Sequence, residues 1–399
     1  MPLVFVHGVS NRDTPEYRDN ELARDALLRE HVVRRLGLDA HNVAVLNPYW
    51  GNHGVTFRWG HASLPESFDS IETFGTGLDP MDLRIAADIV APLGPGAADI
   101  VTVARSSLAD AIDVVWGAAL SAAETADLAA ALAESSQMAF DYAAANPAPN
   151  WLATAGNDNF VDLLLYHIKH YEEAFPAPSS KGKVRWERFG AAPLLDNLKE
   201  GLSRVTGLVP SAMSAITISL GRKKSHLGAS MFLGDVFEYL TKRGERDDPG
   251  PIVTTVLSAL RTARGQLRAD DPKLIIVGHS LGGVISYDIL THFDPTLEVD
   301  VFVTVGSQVA LFEEMGLYKH ALPPANAPAD RLARPANIKR WINVLDPNDV
   351  FSFRAEGVYA GVTDLKYDTG YGLMQAHSGY FHRPSFYQCL GKRLAEFPP

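Results

Sequence analysis

The 399-residue sequence predicts an α/β protein, with a mostly parallel, doubly wound sheet of about six strands and a large helical cap insertion. Three observations predict it. Short apolar, β-branched runs alternate with amphipathic helical periods in residues 1–51 and again from about 228 to 399. One of these runs, from Lys273 to Val277, breaks at Gly278-His279-Ser280-Leu281-Gly282 and resumes with helical spacing through Val284, Ile285 and Ile289. Between the two regions, residues 52–227 lose the alternation and become rich in alanine, proline and glycine. The sequence therefore divides into a discontinuous α/β domain, 1–51 and 228–399, and a helical cap, 52–227.

In chain order, Leu3 to Val6 is the first strand, and His7-Gly8-Val9-Ser10-Asn11 follows it as a turn. Residues 16 to 36 carry an apolar stripe of Leu22, Ala26, Val32, Val33 and Leu36, which predicts a helix stopped by Gly37. Val43 to Leu46 is the second strand. In the cap, alanine-rich residues 117–145 predict a helix, Asn146 to Asn150 ends it, and a further helix covers Asp158 to Glu173. Gly207 to Leu220, largely apolar and small, precedes Arg222, Lys223 and Lys224; residues 207–224 are a candidate lid or transient lipid-surface contact, although an ordinary buried cap helix is preferred. The alternation returns with a helix from Gly228 to Gly244 and another from Ile252 to Leu267. The remaining strands are the run before Gly278, then Val299 to Val305, Trp341 to Leu345, and a weaker Val362 to Tyr367. A glycine-rich loop carrying His377 and a last helix from about Pro384 to Glu396 complete the chain.

Composition excludes several roles. At 46% apolar and 21% charged the chain can bury a core, and its formal charge of −11 opposes nucleic acid and anionic membranes. The single cysteine, Cys389, forms no internal disulfide and reads as a small apolar helix residue. The first residues lack a basic flank and a long apolar run, and no segment reaches the roughly 18 apolar residues of a membrane span. The expectation is a cytoplasmic protein, with signal-independent export left open. Oligomeric state is not legible.

The chemistry is concentrated in four segments. Glycines 278 and 282 let a strand turn sharply into a helix, which lifts the Ser280 hydroxyl above the sheet edge as a nucleophile elbow around His279. Serine needs an imidazole base, and the base needs a carboxylate to fix its tautomer. Candidates follow in the order this architecture uses: an aspartate after the penultimate strand, then His377 after the last, with His382 and His320 as reserves. Asp349 is the preferred acid and Asp346 the alternative, because an aspartate before proline also caps turns. The oxyanion donors are the backbone N–H groups of Leu281 and Val9, with His7 and Gly8 shaping the loop. His53 with His61, and His167 with His170, offer no third and fourth ligand nearby, so neither a metal nor a cofactor is expected.

Val4-Phe5-Val6-His7-Gly8, Gly278 to Gly283, Asp346-Pro347-Asn348-Asp349-Val350 and Ala376-His377-Ser378-Gly379-Tyr380 resemble signatures of the lipase and esterase branch of the α/β-hydrolases. The resemblance covers residues 1–51 and about 228–399, leaves the cap unmatched, and lacks that family's first two strands. It implies a serine hydrolase acting on carboxylic esters through an acyl-enzyme on Ser280, and supports Asp349 as the acid. A large apolar cap leans the expected substrate towards lipid or long-acyl esters. Acyl transfer or thioester cleavage uses the same residues, and a non-catalytic binding module on the same fold is the rival outside enzymology.

Overall fold

The computed structural model describes residues 1–63, 100–120, 123, 125–157, 159–174, 198–199, 215–268, 271, 273–319, 330–371 and 373–396, without the side chains of 172–174, 215–226 and 373–375. The reserve His320, residues 176–183, which the sequence marks as a proline- and serine-rich loop, and residues 207–214 lie outside it.

All six expected strands form one sheet: β1 (Leu3–Val6), β2 (Val45–Leu46), β3 (Ile275–His279), β4 (Val301–Val305), β5 (Trp341–Leu345) and β6 (Val362–Lys366). Their order is β6-β5-β4-β3-β1-β2, and every neighbouring pair is parallel. The inner parallel strands β1, β3, β4 and β5 bury both faces, which is why their runs are almost continuously apolar. Alternate residues feed opposite cores. Leu3, Phe5, Ile275, Val277, Val303, Val305, Ile342 and Val344 face one cluster. Val4, Val6, Ile276, Phe302, Trp341 and Val362 face the other.

Helices cover the two faces. The first cluster takes in α1 (Pro15–Leu27) and the last helix, here α11 (Pro384–Ala395), while the second takes in α7 (Pro251–Gly265), α8 (Leu281–Asp288) and α9 (Val309–Glu314). Pro15 follows the Thr14 cap, whose hydroxyl accepts from Tyr17 N at 3.2 Å, and the helical path continues to Leu36 and the left-handed Gly37.

The insertion contributes α2 (Ile100–Ser106), α3 (Leu108–Leu120), α4 (Ala126–Ala145) and α5 (Phe160–Ala174). The single helix expected over 117–145 is two, because Thr125 caps a fresh start at Leu128 N (3.2 Å). These helices join the same buried cluster as β1 and β3–β5, and α4 packs along α1. Asp113 of α3 ties them to α11: it lies 2.6 Å from Arg383 Nε and accepts from Ser385 N and Oγ, both at 2.8 Å.

The next helix, α6 (Ala215–Lys242), begins well before the expected Gly228, so the boundary drawn at 228 falls inside it. No proline occurs between 211 and 248, and isolated glycines lower helix propensity without ending a helix. Residues 215–224 of the candidate lid are the helical start of α6. Cys389 lies on the exposed side of α11 instead of in its apolar face. Among the described residues no helix is long and apolar enough to cross a membrane.

Candidate active site

Parallel strands deliver their carboxyl ends to one edge, and the order reverses between β1 and β3. Crevices beside such a reversal are where open α/β sheets bind ligands. His7 follows β1, Ser280 follows β3, Gly306 follows β4 and the 346–351 loop follows β5, which brings these segments together there.

Ser280 is buried, with φ 52° and ψ −127°, a conformation that costs a non-glycine residue about 1–3 kcal/mol. Its surroundings hold it there. Ser280 N donates to Val305 O at 3.0 Å, and Ser307 Oγ donates to Ser280 O at 2.7 Å. Glycines 278 and 282 do the steric work expected of them: a Cβ on Gly282 would lie 2.2 Å from Val6 O, and one on Gly278 2.6 Å from Gly283 Cα.

Ser280 Oγ lies 2.8 Å from His377 Nε2, and His377 Nδ1 lies 3.0 Å from each carboxylate oxygen of Asp349. Asp349 is fully buried as a side chain; Phe351 N donates to its Oδ1 at 2.9 Å and Tyr380 OH to its Oδ2 at 3.0 Å. A carboxylate at Nδ1 holds the proton there and leaves Nε2 free to accept from serine. Asp346 does something else. Its Oδ2 accepts from Thr369 N at 2.8 Å and Thr369 Oγ1 at 2.6 Å, and its Oδ1 from Asn348 N at 2.8 Å. It therefore pins the connection after β6 that leads to His377. His377 itself sits in a short helix, α10 (Leu373–Gly379), where a glycine-rich loop was expected; Leu373 to Ser378 contain neither glycine nor proline to prevent one.

Gly8 packs so tightly on the elbow that a Cβ there would lie 2.7 Å from Ser280 Cβ. His7 braces the same loop from below. Its Nε2 accepts from Trp50 N at 3.1 Å, its Nδ1 donates to Gly8 O at 2.8 Å, and its ring stacks on Trp50 at 4.7 Å. Those bonds require a neutral imidazole, and burial pushes the His7 pKa down to about 3. Asn11 Nδ2 donates to Gly8 O (3.0 Å) and Val9 O (3.1 Å), turning the carbonyls of this loop inward to its own side chain. Neither Val9 N–H nor Leu281 N–H, at the first position of α8, donates to another described residue.

A cavity of about 350 Å³ opens here, walled by Leu27 of α1, Leu120 of α3, Phe232 of α6 and Phe381, with His377 also in its lining. His279 also lines it and donates from Nε2 to His377 O at 2.7 Å; burial holds this imidazole well below its ordinary pKa, so it is neutral. The reserve His382 lies on the cavity wall in the short helix before α11, away from the serine–carboxylate relay. Among the described residues no three His, Cys, Asp or Glu side chains gather as metal ligands. His167 stacks on Trp151 at 5.3 Å, and His170 Nδ1 bonds Tyr166 O at 2.7 Å.

Sequence reading missed three residues that shape this site. Tyr380 and Gly306 flank Asp349: a Cβ on Gly306 (φ 54°) would lie 2.8 Å from Asp349 Oδ2. The glycine after a sheet strand was visible, but its neighbour 43 positions away was not. Asp235 of α6 is the third, its carboxylate accepting from Ser10 N at 2.7 Å. Geometrically, the arrangement can move a proton from Ser280 Oγ to His377 Nε2 while Asp349 balances the resulting imidazolium. The chain matches no protein-family model, no curated protein and no solved structure.

Proposed function

We propose that this chain is a serine hydrolase of the α/β-hydrolase superfamily that cleaves carboxylic esters through an acyl-enzyme on Ser280. The observation that carries the reading is the unbroken series Ser280 Oγ, His377 Nε2 and Nδ1, and Asp349, with bonds of 2.8 and 3.0 Å on a strained turn. The strand order supports it, since nucleophile, acid and base follow β3, β5 and β6, the late strands of a parallel sheet.

In this mechanism Ser280 Oγ attacks the acyl carbon as its proton passes to His377 Nε2. The Val9 and Leu281 amides receive the negative charge on the carbonyl oxygen, each worth about 2.7–4 kcal/mol by analogy with single-donor deletions. His377 then returns the proton to the departing alcohol, and water, deprotonated by the same imidazole, releases the acid. The apolar walls at Leu27, Leu120 and Phe381 favour an aliphatic or aromatic acyl group, which keeps lipid and long-acyl esters as the preferred class.

A series of p-nitrophenyl esters from acetate to palmitate tests this. Turnover that rises with chain length and vanishes in Ser280→Ala supports the reading, and turnover unchanged in Ser280→Ala refutes it. Adding methanol to the same assay separates hydrolysis from acyl transfer by the ratio of free acid to methyl ester.

A further inference from the structure

Helix α6 comes from the insertion side of the chain, yet one of its turns reaches both sides of the site. Phe232 lines the cavity and stacks on Phe351 with ring centroids 4.2 Å apart, two residues beyond Asp349. One turn later stands Asp235, a carboxylate with no exposed surface. It accepts four hydrogen bonds. Ser10 N donates to Oδ2 at 2.7 Å, Arg12 Nη1 to Oδ2 at 3.1 Å, Arg12 Nη2 to Oδ1 at 2.7 Å, and Val55 N to Oδ1 at 2.8 Å. Arg12 completes the junction by donating to Val55 O at 3.3 Å.

Ser10 is the telling member. It has φ 64°, a left-handed conformation that a non-glycine residue adopts only when its neighbours over-determine it. Its amide is the one held by Asp235, and the preceding residue is Val9, whose N–H donates to no described residue. Rotation about the Val9–Ser10 link is therefore governed by a side chain 225 positions away. The Asn11 bonds to Gly8 O and Val9 O fix the loop internally but do not anchor it to the rest of the molecule. Asp235 supplies an anchor, through Ser10 N at 2.7 Å.

We propose that Asp235 is a positioning residue for the oxyanion loop, holding Ser10 left-handed through its carboxylate and the Arg12 pair so that the Val9 amide faces the reacting carbonyl. The helix that walls the substrate cavity thereby also sets the oxyanion donor. This rests on the hydrolase reading above. Asp235 touches no substrate and acts only through Ser10 and Arg12.

Asp235→Asn keeps the shape but replaces one acceptor oxygen with an amide nitrogen that cannot accept. The expected result is a roughly 10- to 100-fold fall in kcat with KM within about twofold, below the full loss expected for deleting an oxyanion donor. Affinity for a trifluoromethyl ketone, whose serine adduct carries the oxyanion, should fall in step with kcat. The pH dependence of kcat should not move. Arg12→Gln, at the half-exposed end of the pair, should give a milder form of the same pattern, and it carries the test if Asp235→Asn does not fold. A folded variant with kcat and ketone affinity both within twofold of the parent overturns the proposal, as does a loss of thermal stability with unchanged turnover per folded molecule. If the parent chain itself turns over no ester and takes no label at Ser280, the hydrolase reading fails, and this proposal with it.

Discussion

The two aspartates of the 346–349 loop illustrate how single residues are assigned by what their oxygens accept. Asp349 faces His377 Nδ1 with both oxygens at 3.0 Å, while Asp346 spends its acceptors on Thr369 and Asn348. The two substitutions should separate cleanly. Asp349→Asn should leave folding intact and reduce kcat by about 10⁴-fold, because the amide stabilises the wrong imidazole tautomer. Asp346→Asn should cost stability, about 1–3 kcal/mol for a buried network left short of an acceptor, with a much smaller effect on kcat. Steady-state kinetics and urea unfolding of both variants check this. The reverse pattern would reassign the acid.

Among the elements, the helical continuation of α1 past Leu27 packs on α4, where His31 closes the contact. Its Nδ1 lies 3.0 Å from Gln137 Oε1 and its Nε2 2.9 Å from Ser136 Oγ, and burial lowers its pKa from 6.5 to about 4. The native state thus keeps this imidazole neutral while the unfolded chain protonates it below pH 6.5. Its contribution to stability is complete above pH 6.5 and declines as pH falls towards 4, by up to about 1.4 kcal/mol per pH unit. His31→Gln should therefore show a shallower loss of stability between pH 6.5 and 4 than the parent. Equal slopes in urea unfolding would contradict a neutral buried His31.

The whole molecule was unevenly legible. Strands β1 and β3–β5 were visible because a strand buried on both faces leaves a continuous apolar run, and Ser280, His377 and Asp349 followed from their order along a parallel sheet. The insertion was harder. Its alanine-rich helices carry little periodic signal, and the break at Thr125 and the early start of α6 depend on capping and on the absence of proline. The roles of Tyr380, Gly306 and Asp235 were not legible because each matters through a partner far away in sequence: Asp235 reads as an ordinary charge on a helix until Ser10 and Arg12 are placed beside it. Asp113 is similar, a carboxylate within an apolar helix whose partners Arg383 and Ser385 lie some 270 positions on. Long-range polar contacts of this kind join α3 to α11 and α6 to the loop after β1, and they leave no local pattern.

The central claim is that Ser280 is an activated nucleophile, and covalent labelling tests it most directly. Treating the intact chain with a fluorophosphonate and mapping the adduct by peptide mass spectrometry should place a single label on Ser280, with labelling slowed by orders of magnitude in His377→Ala. A label on any other residue, or no label on the folded protein, would contradict the account.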